Sequence, residues 1–176
     1  MRKRLPEFQS ILQVYAVIAV MFTGWTITAF LWKLSAWLLL LNLGEIVTIF
    51  SYAMSANFLE SLIVLVILLA ACTLLPAYVL RDDFAVRGTI LSIGLVGSLM
   101  AFVGFQMQFG MASGFRLLIA PLAVLLLTVF FLGFLSNAGF MRSIALWLSD
   151  RLTIFLYILL PLYVVLSIYV VFRNIA

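Results

Sequence analysis

The sequence contains no histidine. That absence removes His-ligated haem, His-containing zinc sites and every Ser–His or Cys–His nucleophile pair. Cysteine is nearly as scarce. Cys72 stands alone within an apolar stretch, so no disulfide can form within the chain. Charge is thin too, at 9% of residues, against roughly a quarter in a soluble domain. There is no phosphate-cradling glycine-rich loop, no GxSxG, no HExxH and no GxxxxGK[ST]. Asp82 and Asp83 stand together, but neighbours on a helix point about 100° apart. Flanked by Arg81 and Arg87, they read as a solvated connection in which Asp83 caps the following helix. The expectation is a non-enzymatic protein with no cofactor and no metal site.

What the chain has in abundance is apolar surface. It is 67% hydrophobic, with a mean hydropathy of +1.32. A soluble fold of 176 residues must still wet its surface and cannot hide this much, so the solvent is a bilayer. The expected fold class is all-α, a polytopic integral membrane helical bundle forming one transmembrane domain over 1–176 with no soluble domain. The net charge of +4 comes from ten Lys and Arg against six Asp and Glu. Apart from Arg2, Lys3 and Arg4 the basic residues are scattered singly, which suits headgroup anchoring rather than a phosphate backbone. The expected partners are therefore the lipid bilayer and other membrane-protein subunits, not nucleic acid. The start, MRKRLPEFQSILQVYAVIAVMF, resembles a signal peptide, but its apolar stretch continues to Trp32. That exceeds a signal core of about 7–15 residues, so it reads as a retained first span.

A spanning helix needs about 20 mainly apolar residues. Six segments qualify, at 10–32, 36–56, 58–80, 87–109, 116–136 and 152–172. Residues 34–80 as one helix would reach about 70 Å, so two spans with a turn at Ser55–Asn57 are expected there. The alternative is an interfacial segment plus one span, giving five in all. With the N-terminus in the cytoplasm, six spans divide the basic residues five to five, and five spans divide them seven to three. Length favours six, and the Arg-Lys-Arg cluster favours a cytoplasmic N-terminus in the cell membrane. Phe140, Met141, Ile144 and Leu148 recur at helical spacing. They mark either a short interfacial helix near 139–149 or an extended start to the sixth span.

Within LNLGEIVTIF, Glu45 stands out. On a helix it shares a broad face with Asn42, Thr48, Tyr52 and Ser55, opposite Leu39, Leu40, Leu43, Val47, Phe50 and Met54. An ionised carboxylate at mid-bilayer costs at least about 2.5–3.5 kcal/mol on insertion scales. Glu45, Asn42, Thr48 and Tyr52 are thus a candidate intramembrane polar site, serving either an interhelical hydrogen bond or a proton or cation. Glu60 lies three residues after Asn57, and NFLE fits a capping box that explains Glu60 without a site. Gly94, Gly97, Ser98, Ala101 and Gly104 form a small-residue packing face. Pro161, inside the sixth span, is expected to kink it. Three functions fit these features: a subunit or scaffold of a membrane complex, a small transport component or proton/cation-coupled permease using Glu45, and a lipid-modifying enzyme working with Asp82, Asp83, Asp150 and the arginines. Short loops and missing motifs favour the first.

Overall fold

The computed structural model of the chain describes residues 6–75, 80, 83–109, 122–123, 126–127 and 135–175. Four long helices make the bundle: α1 (Phe8–Leu40), α2 (Leu43–Leu74), α3 (Phe84–Phe109) and α4 (Gly139–Ile175). No strand occurs among the described residues. All four helices are long and apolar enough to cross a membrane. α1 and α2 have 33 and 32 residues, about 50 Å each at 1.5 Å per residue, so their ends reach beyond a hydrocarbon layer of about 30 Å. The described protein is therefore an all-helical membrane bundle.

The count of six spans is not reproduced, and the reason is local. The chain turns at Leu41–Asn42 and runs straight through Ser55–Asn57 as the middle of α2. The first expected span therefore continues to Leu40, and the segments 36–56 and 58–80 do not exist as separate helices. The serines at 51 and 55 donate to the carbonyls of Val47 and Ser51, each 2.8 Å away, so they are satisfied inside the helix rather than ending it. The 139–149 segment is the opening of α4, one helix through to Ile175, and not a separate interfacial element. The 116–136 span lies outside the described residues, apart from Leu122, Ala123, Leu126 and Leu127, which are helical and exposed, and Leu135 and Ser136.

α1 packs on α2, α3 and α4, and α4 also touches α2 and α3. α2 and α3 both contribute side chains to one buried cluster, together with Val14 and Ile18 of α1. Pairings fix the directions. Tyr15 meets Ser61 while Thr26 meets Asn57, so α2 runs antiparallel to α1. A Cβ on Gly88 would meet Val14, and one on Gly104 would meet Trp25, so α3 runs parallel to α1. Arg142 reaches Asp83, and Thr48 reaches Tyr169, so α4 is parallel to α3 and antiparallel to α2. Two apolar clusters hold the bundle. One gathers Val14, Ile18, Val64, Leu68, Leu91 and Val96; the other gathers Tyr15, Ala16, Ala19, Met54, Leu156 and Tyr163.

Candidate functional site

Polar side chains cross the bundle interior as a closed seam. Thr23 donates to the Ala19 carbonyl at 2.7 Å, and its hydroxyl lies 2.5 Å from that of Tyr163. Tyr15 and Ser61 pair at 3.4 Å. Thr26 donates to Asn57 Oδ1 at 2.9 Å, while Asn57 Nδ2 donates to the Phe22 carbonyl at 3.4 Å. Apart from the Thr23–Ala19 bond, which stays within α1, each contact ties α1 to α2 or α4, and each hydroxyl or amide finds its partner inside the protein. In hydrocarbon, where no water can substitute, such bonds hold helices together.

The expected site around Glu45 sits at a helix end. Asn42 is the N-cap of α2, and its Oδ1 accepts from the Glu45 N–H at 2.9 Å. Glu45 Oε2 accepts the Asn42 N–H at 2.9 Å, completing a capping box. Both residues are exposed. Thr48 and Tyr52 point instead to the last turns of α4. The Thr48 hydroxyl lies 3.2 Å from Tyr169 Oη and accepts from Arg173, while Tyr52 donates to Asn174 Oδ1 at 2.5 Å. The four residues thus split into a cap, Asn42 and Glu45, and a clasp, Thr48 and Tyr52, that fastens α2 to α4.

Glu60 occupies the position expected of Glu45. With α2 unbroken, Asn57 is not an N-cap and Glu60 lies near the helix centre, about 25 Å from Leu43 and 21 Å from Leu74 at 1.5 Å per residue. It lines a groove of about 460 Å³ whose floor is Phe22, Trp25 and Thr26 of α1. Ala53, Asn57 and Glu60 of α2 form one wall, and Val96, Leu99, Met100 and Val103 of α3 the other. Among the described residues, Arg142–Asp83 is the ion pair, and no hydrogen bond joins the Glu60 carboxylate to a neighbour. A second hollow of about 180 Å³ shares Trp25, Thr26 and Ala53 and continues past Trp32 and Trp37 to Lys33. The signal for Glu60 was present in the sequence. Its NFLE pattern and the NLGE pattern at 42–45 look alike, and only one of them begins a helix.

The remaining expected features have definite places. The small-residue face of α3 is divided: Ser98 is buried and Gly104 faces Trp25, whereas Gly97 has open space beside it, Ala101 is exposed and Gly94 is half-buried. The glycine that allows a close approach is Gly88, where a Cβ would come within 2.9 Å of Val14 Cγ2. Its spacing to buried Ser92 is the small-xxx-small signal that could have revealed it. Pro161 lies on the exposed side of α4 inside a continuous helix. Asp83 is gripped by Arg142 through two bonds of 2.9 and 3.0 Å, so its carboxylate ties α4 to the start of α3. Asp150 is exposed, and Asp82 lies outside the described residues. No group of three His, Cys, Asp or Glu side chains among the described residues could hold a metal ion. Comparison with protein families, curated proteins and solved structures finds no match to this chain.

Proposed function

We propose that the protein is a small non-enzymatic component of a membrane transport system, in which Glu60 binds a proton or a cation at mid-depth. One observation carries this: a carboxylate at the centre of a span, in a groove, with no described partner. Nearby, Thr26 and Asn57 are bonded to each other and Asn57 to the Phe22 carbonyl, so they leave the Glu60 carboxylate as the free acceptor among the described polar groups of the groove. A carboxyl group in hydrocarbon is tolerable when neutral, and both a bound proton and a paired monovalent cation make it so. Exchange of one for the other on a single group is the elementary step of coupled transport. The reading puts the bundle in the cell membrane with the start of α1 in the cytoplasm, which the Arg-Lys-Arg cluster preceding it in the sequence supports.

The test is proton and monovalent-cation flux through proteoliposomes. Wild-type protein should carry a flux that Glu60→Gln abolishes and Glu45→Gln leaves intact, with all three proteins inserted equally. Identical flux in wild type and Glu60→Gln sinks the proposal.

A second reading, a subunit or scaffold of a larger membrane complex, is favoured by the open outer side of α3. Gly97 and Ala101 present little bulk there, so another helix backbone can come close. On this reading Gly97→Leu disrupts co-purification with a membrane partner in mild detergent.

A further inference from the structure

The lining of the groove narrows the chemistry of what Glu60 meets. Its polar neighbours have little left to offer a ligand, since Thr26 donates to Asn57 and the Asn57 amide donates to Phe22. A small metal cation would need several oxygen ligands at once, and one carboxylate cannot supply them. The rest of the lining is apolar or aromatic: Phe22, Trp25, Val96, Leu99 and Met100. A cleft of about 460 Å³ falls within the roughly 300–1,000 Å³ of small-molecule sites. The complementary ligand carries one positive charge and considerable apolar bulk. Trp25 and Phe22 bring aromatic rings into the lining for such a charge, and among the described residues Glu60 and Leu99 are exposed, so the groove has an accessible side. Lys33 is the one cation among the lining residues of the two hollows, and it lies at the far end of the second.

We propose that this groove binds a hydrophobic monovalent organic cation drawn from the bilayer, with its charge on Glu60 and its apolar bulk against Trp25, Phe22 and Met100. This rests on Glu60 being the working carboxylate and names the substrate class. The carboxylate and the bound cation together leave the groove neutral.

Radiolabelled tetraphenylphosphonium, titrated into the full chain in lipid nanodiscs, tests this. Wild-type protein should bind it saturably. Glu60→Gln should weaken binding by about tenfold or more, as expected when one member of a charge pair is removed. Glu60→Asp keeps the charge and should retain measurable binding, which guards against a folding artefact. Trp25→Leu should weaken binding by about three- to tenfold, and Glu45→Gln should not change it. Uncharged tetraphenylmethane should not compete. Equal binding by wild type and Glu60→Gln, or effective competition by the neutral compound, overturns the proposal. So does an absence of saturable binding. In that case, protection of Ala53→Cys from a membrane-permeant maleimide, in a Cys72→Ser background, shows the groove filled by protein. Saturable binding without flux leaves this site standing and sinks the transport reading. Glu60-dependent proton flux without binding does the reverse.

Discussion

At Asn57 a single amide takes over bonds that α1 would otherwise make with itself. Thr26 would ordinarily return its hydroxyl to the Phe22 carbonyl one turn back. Instead it donates to Asn57 Oδ1, and Asn57 Nδ2 donates to the Phe22 carbonyl. Asn57→Leu lets Thr26 revert, so the loss should be modest, about 0.6–1.7 kcal/mol as for interhelical bonds in membranes. Reversible unfolding in bicelles measures it. Asn42 acts differently, because its side chain satisfies a backbone donor at a helix start. Asn42→Ala should cost about 1 kcal/mol in the same assay. Glu45→Gln should cost much less, since glutamine also closes a capping box. If Glu45→Gln proves more damaging than Asn42→Ala, the carboxylate has a role beyond the cap.

Helices α1 and α3 meet at a glycine, Gly88, and Gly97 further along α3 behaves oppositely to it. Val14 is fully buried and its β-branched side chain is stiff, so it cannot swing away from a methyl at position 88. Gly88→Ala should therefore destabilise the bundle by about 1–3 kcal/mol, the usual range for overpacking. At Gly97, where nothing lies within 4 Å of a Cβ, Gly→Ala should stabilise by about 0.5–1 kcal/mol through helix propensity. Thermal unfolding of both variants in one detergent compares them directly. α4 is fastened at both ends and in the middle: to α3 through Arg142–Asp83, to α1 through Tyr163–Thr23, and to α2 through Tyr52–Asn174. The Arg142–Asp83 pair is exposed, so Arg142→Ala should cost at most about 1 kcal/mol and less in high salt.

For the molecule as a whole, helix direction decides which charges share a side. α1, α3 and α4 begin at one end, with Arg87, Arg142 and Arg151 in their first turns or early residues, while Lys33 and Arg173 lie toward the other. The division leans the same way as the seven-to-three split of the five-span alternative. Ser143 and Ser35 are both exposed and lie near opposite ends of the bundle. In a Cys72→Ser background, Ser143→Cys should react with an impermeant maleimide only from the cytoplasmic side, and Ser35→Cys only from the outside. Labelling of both from one side contradicts the arrangement.

Composition alone determined that this chain lives in a bilayer as helices, because its apolar content leaves no other solvent. The missing histidine likewise excluded histidine-dependent chemistry. The position of the turn was not determined in this way. NLGE at 42–45 and NFLE at 57–60 carry the same capping signal, and a cap depends on local geometry that both can adopt. Tertiary packing chose between them: Asn57 has Thr26 and the Phe22 carbonyl to bond across the helix interface, whereas Asn42 bonds only its own helix start. That choice put Glu45 at an exposed cap and Glu60, also exposed, near the centre of α2. A carboxylate's depth follows from where its helix begins, and that was settled by contacts made from another helix.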